Sequence, residues 1–190
     1  MSQNANTQQA RTVTTVDRGK LDLKALTLYA ILLAAGFVLN MTVSKFFSGL
    51  TGGILSPEFI IAAFCLETLI IRPKVGQAAV LGLLAGVVIQ ITASVKGPDL
   101  IAEPVAAVVM ALLVSALGNG GAKKVLPLVG TFVVTCISGL IYAVIFACFV
   151  QRNPQLIAVM APVVAMTGAF NAVIVQALYI PIKKALKLAD

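Results

Sequence analysis

Apolar stretches cover about residues 26–43, 54–71, 77–95, 104–117, 125–150 and 156–180, with only short polar breaks between them. A helix needs roughly 20 apolar residues to cross the hydrocarbon core of a bilayer. Six such stretches in a chain of 190 residues leave room for one compact bundle and no second domain. The expected fold is therefore an all-α integral membrane protein, a six-transmembrane-helix bundle over residues 23–188. A polar Gln-, Asn- and Thr-rich segment over residues 1–22 is expected to be a flexible cytoplasmic tail. The first apolar stretch is longer than a signal-peptide core and lacks a small-residue cleavage site, so it is read as a retained helix. Pro104 opens the shortest stretch, which makes a partly re-entrant fourth segment conceivable.

Composition supports a bilayer environment. The chain is 59% hydrophobic and 11% charged, with mean hydropathy +1.02. Soluble domains carry about 25% charged residues, and a soluble fold could not hide this much apolar surface. The net charge of +7 arises from Lys and Arg set between apolar runs instead of on one face, which argues against nucleic acid. Their placement follows the rule that cytoplasmic loops retain cations. With the N-terminus inside, Arg11, Arg18, Lys20, Lys24, Arg72, Lys74, Lys123, Lys124, Lys183, Lys184 and Lys187 fall on the cytoplasmic side, against Lys45, Lys96 and Arg152 outside. An odd number of spans would spoil this alternation, so both termini are expected in the cytoplasm.

Several chemistries are disfavoured. The chain has no His, and Cys65, Cys136 and Cys148 lie inside apolar segments, so neither a zinc site nor a disulfide framework is expected. The Gly-rich loop from Gly118 lacks the order of a phosphate-binding loop, and no nucleotide or other cofactor is expected. Without His, acid–base catalysis would fall to carboxylates, Lys or Tyr, and no nucleophile–base pair stands out, so an enzyme is not expected.

Polar side chains at membrane depth are costly and usually face a bundle interior or a pathway. Here they gather at one end of the expected bundle: Asn40 and Lys45 after the first helix, Pro57 and Glu58 opening the second, Gln90, Thr92, Ser94 and Lys96 closing the third. Asp99 and Glu103 precede the fourth, Tyr142, Gln151 and Arg152 close the fifth, and Asn153 opens the sixth. Lys45, Lys96, Asp99, Glu103 and Arg152 are equally readable as solvated loop charges. Glu58 lies just inside an apolar segment and reads as a site or ion-pair residue, with interfacial solvation as the alternative. Glu67 sits deeper and is expected to pair with Arg72, about one and a half turns away. Thr167 and Asn171, four apart, share a helix face; either interhelical hydrogen bonding or ligand contact accounts for them. Ala30 with Ala34, and Gly82 with Gly86, have the small-xxx-small spacing that lets helices approach closely.

On these features the sequence, over about residues 25–187, resembles the substrate-binding S components of energy-coupling factor (ECF) transporters, six-helix proteins that capture vitamins and related nutrients. Within that group it is similar to the tryptophan-transporter family. Phe46, Phe47 and Gly49, the Pro57–Glu58 pair and the loop carrying Pro98, Asp99, Glu103 and Pro104 are the counterparts of its motifs. The chain departs from that pattern in having Glu58 where Asp is expected and an inserted Thr51-Gly52-Gly53. The resemblance implies an outward-facing pocket covered by the loop over residues 44–53. It also implies docking through Ala30 and Ala34 on a transmembrane coupling subunit, which two ATP-binding-cassette ATPases energise. For an amino acid ligand, Lys45, Lys96 or Arg152 would take the carboxylate, Glu58 or Glu103 the ammonium, and Phe46, Phe47 and Tyr142 the ring. Asn40, Gln90 and Asn171 complete the candidate substrate contacts. Two other classes remain open: an ion-coupled secondary transporter using Glu58 or Glu67, for which no inverted repeat is evident, and a non-transporting membrane protein.

Overall fold

The computed structural model describes residues 19, 21–52, 56–119 and 124–186. The tail before residue 19, together with Arg11, Arg18, Lys20, Gly53, Lys123 and Lys187, lies outside the described residues. Every regular element among the described residues is a helix. Helix α1 (Leu23–Leu39) runs through a π-helical turn (Asn40–Ser44) into α2 (Lys45–Leu50). It is followed by α3 (Phe59–Ile71), α4 (Val75–Gln90), α5 (Pro98–Leu117), α6 (Leu126–Ile145) with a second π-helical turn (Phe146–Val150), and α7 (Leu156–Ala185).

Four stretches are long and apolar enough to cross a membrane: Leu23–Leu50, Pro98–Leu117, Leu126–Val150 and Leu156–Ala185. They mark a membrane-spanning protein. Their outward side chains are apolar, among them Ile31, Val38, Leu112, Val129, Val159 and Val173, as lipid contact requires. Helices α3 and α4 have 13 and 16 residues. At 1.5 Å per residue, α3 extends about 20 Å, short of the ~30 Å hydrocarbon core. The short elements are thus α3 and α4, not the stretch beginning at Pro104. Pro98 occupies the start of α5, where its missing N–H costs nothing, and the helix continues through Pro104 to 20 residues. Asp99 and Glu103 consequently lie inside α5 and not in the loop ahead of it.

Every residue of α3 is buried, and α1, α4, α5, α6 and α7 all pack on it. A helix apolar on all sides belongs in such a central position. Two seams fix the helices around it. Gly36 brings α1 against the start of α3: a Cβ there would lie 2.8 Å from the Phe59 carbonyl oxygen. Gly82 and Gly86 do the same between α4 and α5, where added Cβ atoms would lie 2.5 Å from the Glu103 carbonyl oxygen and 2.7 Å from that of Asp99. The glycine spacing seen in the sequence thus seats α4 directly on the backbone of two acidic residues. Tyr29 ties α1 to α4 through a 2.6 Å hydrogen bond from its hydroxyl to the Leu81 carbonyl.

The alternating course of the helices sorts the charges. One end holds Lys24, Arg72, Lys74, Lys124, Lys183 and Lys184, and there the end of α7 packs on Ala25, Ile70 and Ile71. The other end holds Lys45, Lys96 and Arg152. The expected Glu67–Arg72 pair does not form. Arg72 terminates α3 in the left-handed conformation (φ 55°) and turns toward the end of α5, donating to the Gly118 carbonyl at 2.7 Å and to Asn119 Oδ1. Glu67 stays fully buried, and neither of its oxygens has a hydrogen-bond partner.

Candidate substrate cavity

The less basic end encloses a cavity of about 410 Å³ between the π-helical turn after α1, residues 56–58, the end of α4, the start of α5, and α6 and α7. Its size lies within the range of small-molecule sites. Asn40, Ser44, Lys45, Ser48, Ser56, Glu58, Thr92, Ser94, Asp99, Glu103, Thr135, Ser138, Tyr142 and Thr167 supply its polar lining, and Ile61, Ile89, Met160, Val163 and Val164 its apolar walls.

The wall at Glu58 is an unwound segment held from two sides. Residues 56–58 precede α3, and apart from the Glu58 carbonyl, which accepts from the Ala62 N–H at 3.3 Å, their backbone groups need partners from elsewhere. Asn171 on α7, fully buried, meets both polar groups of the Glu58 backbone: its Oδ1 accepts from the Glu58 N–H at 3.1 Å and its Nδ2 donates to the Glu58 carbonyl at 3.0 Å. From the π-helical turn, Asn40 Oδ1 accepts from the Phe59 N–H at 2.9 Å, a capping bond supplied by another helix, while its Nδ2 donates to Glu58 Oε2 at 2.9 Å. Thr167 adds a 3.0 Å bond to the Ser56 carbonyl. The carboxylate of Glu58 is thereby fixed at the cavity wall.

On α5, Asp99 and Glu103 are four residues apart and so project from one face. Glu103 is 2% exposed; its Oε1 accepts from Ser138 Oγ at 2.8 Å and its Oε2 has no hydrogen-bond partner. Asp99 receives a long 3.4 Å contact from Gln90 Nε2. Gln90 also accepts from the Gly97 N–H at 2.9 Å, and its own carbonyl accepts from Lys96 Nζ, so it shapes the α4–α5 turn beside the cavity. Gly97 has φ 110°, which a side chain would strain.

The sequence-derived candidates therefore divide. Asn40, Lys45, Glu58, Glu103 and Tyr142 come together on the lining. Asn171 and Gln90 stand behind it, bonded to residues that line it. Phe47 packs on Phe170 (5.9 Å between centroids), and Phe170 in turn meets Phe59 edge-on, making an aromatic flank outside the lining. Phe46 is exposed and touches Phe47, while Lys96 and Arg152 are exposed at the same end without lining the cavity. Ser44, Ser48, Ser56, Thr135 and Ser138 were not singled out from sequence; isolated hydroxyls are common in membrane helices and give no signal until a partner is known. Ala30 and Ala34 are exposed on α1, beside a shallow apolar groove with Leu33, Phe37, Val88 and Ile91. No group of His, Cys, Asp or Glu among the described residues has the geometry of a metal site.

Compared with known protein families, curated proteins and solved structures, the chain matches none.

Proposed function

We propose that this chain is the substrate-capture subunit of a nutrient transporter, an S component of the ECF type, spanning a bacterial cell membrane six times with both termini in the cytoplasm. The observation that carries the reading is the cavity: about 410 Å³ inside an otherwise apolar bundle, open to one end, with three carboxyls, Lys45, Asn40 and a set of hydroxyls on its wall beside apolar side chains. Polar residues at such depth are retained for a ligand or pathway. The more basic end is the cytoplasmic one by the cation rule, so the cavity faces outward. In this reading the bundle shields the short α3 from lipid, while α4 presents Val80, Leu83, Leu84 and Val87 outward. The ligand is a small nutrient, an aromatic amino acid such as tryptophan or a vitamin.

The chain does not power its own transport in this scheme. A coupling subunit docks on the Ala30–Ala34 face, and two ATP-binding-cassette ATPases drive the change of access. Uptake of radiolabelled nutrient is expected to vanish when the ATPases are deleted and to survive a protonophore. The opposite pattern would favour a stand-alone ion-coupled transporter. That second reading has its own observation: Glu67 is buried in the half of α3 nearer the basic end with both oxygens unbonded, a position suited to carrying a coupling proton.

A further inference from the structure

The cavity's charges are unbalanced. Three carboxyl groups, Glu58, Asp99 and Glu103, face one cation, Lys45, and Lys45 forms no ion pair with any of them among the described residues. The remaining polar lining consists of hydroxyls and Asn40, which supply hydrogen bonds but no charge. The deepest acid is the least satisfied: Glu103 is 2% exposed, uses one oxygen on Ser138, and leaves Oε2 unbonded. Leaving a buried acceptor unmatched costs about 1–3 kcal/mol, more for a charged group. The glycine seam at Gly82 and Gly86 holds the backbone of Asp99 and Glu103 in place, so the two acids cannot readily withdraw from the cavity. A site built this way lacks a positive charge that a ligand must bring.

We infer that the cavity's ligand is an organic cation, a small molecule bearing a protonated amine seated between Glu103 and Asp99, and not a zwitterion or an anion. This rests on the capture reading and narrows its ligand to a class that leaves out the amino acids named there. An amino acid would bring a carboxylate into a lining that already holds three, with only the exposed Lys45 to receive it. A bare metal ion is a poor occupant, since the cavity far exceeds an ion's size and the acids do not converge as ligands.

The test uses three indole compounds that share a ring and differ in charge: tryptamine, tryptophan and indole-3-propionate. The chain has no Trp and three Tyr, so indole emission is read on the detergent-solubilised full chain over a weak tyrosine background. A matched aliphatic set of 1,4-diaminobutane, 4-aminobutyrate and succinate is followed by calorimetry. In at least one set the amine is expected to bind saturably and roughly tenfold or more tighter than its zwitterion, with no binding of the anion. Glu103→Gln is expected to weaken the amine by on the order of thirtyfold; Asp99→Asn serves if that variant does not fold. Equal or tighter binding of a zwitterion or anion would overturn the inference, as would the failure of both amines to bind. A tryptophan preference combined with ATPase-dependent uptake would defeat the cation assignment alone and leave the capture reading standing. ATPase-independent uptake of an amine would do the reverse.

Discussion

At the residue scale the site depends on two asparagines that present amide groups to backbone. Asn171 meets the N–H and the carbonyl of Glu58 at once, so Asn171→Ala would leave the Glu58 N–H without a partner and its carbonyl with only the 3.3 Å bond from the Ala62 N–H. At about 1–3 kcal/mol per unmatched group, the variant should unfold several degrees earlier in detergent and lose ligand capture with it. Asn171→Asp keeps an acceptor for the Glu58 N–H but sets a buried carboxylate oxygen against the Glu58 carbonyl, and should melt no later than Asn171→Ala. If Asn171→Ala melts like the wild type, the unwound segment is not held as described. The sequence marks Asn40, Glu58 and Asn171 as notable because amides and acids are expensive at depth. It does not show that they meet each other, because Glu58 and Asn171 are 113 residues apart in the chain and their pairing exists only once α7 lies on α3. Glu103 is legible in the sequence as a ligand contact and Asp99 only as a loop acid, and both are read ahead of the helix because Pro104 suggests a start that Pro98 in fact provides.

At the element scale, glycine placement decides where the acids stand. A Cβ at Gly82 would sit 2.5 Å from the Glu103 carbonyl oxygen and 2.7 Å from the Pro104 Cα, and backbone cannot rotate aside as a side chain can. Gly82→Ala should therefore cost about 1–3 kcal/mol through forced separation of α4 and α5. Gly76→Ala in the same helix meets nothing within 4 Å and should be neutral or stabilising by roughly 0.5–1 kcal/mol, the helical penalty of glycine. Comparing the two melts separates loss of close packing from any general effect of alanine in α4. The spacing of Gly82 and Gly86 made this seam visible beforehand; its partner was not, because spacing names a face without saying which helix covers it. The same spacing at Ala30 and Ala34 has no covering helix among the described residues. Ala34→Leu should thus leave ligand binding intact and abolish uptake under the docking proposal, whereas equal uptake by both proteins would remove Ala34 from the dock. Both π-helical turns lie at the cavity end. The first places Asn40 and Ser44 on the lining, in keeping with the tendency of π-helical turns to occur at functional sites.

At the scale of the whole molecule, the apolar periodicity was enough to foresee a helical bundle in a membrane, because lipid leaves helices few alternatives. It was not enough to foresee that α3 would be short and wholly enclosed, since a buried helix and a lipid-facing one are equally apolar in sequence. Orientation is the consequence of this architecture that labelling can decide. Among the described residues, the six basic ones at one end and the three at the other place the cavity outside if the cation rule holds. In a background with Cys65, Cys136 and Cys148 replaced by Ala, single cysteines at Lys96, Arg152 and Lys74 provide the markers. Lys96 and Arg152 are exposed beside the cavity, and Lys74 is exposed at the opposite end. A membrane-impermeant maleimide applied to intact cells should modify Lys96→Cys and Arg152→Cys and spare Lys74→Cys until the membrane is opened. The reverse pattern would turn the cavity toward the cytoplasm, making it a place of release or export, and capture from outside would no longer be its task. Labelling of Lys96→Cys but not Arg152→Cys would mean that α5, α6 and α7 do not share the alternation of the helices before them, and the six-span topology would fall with it.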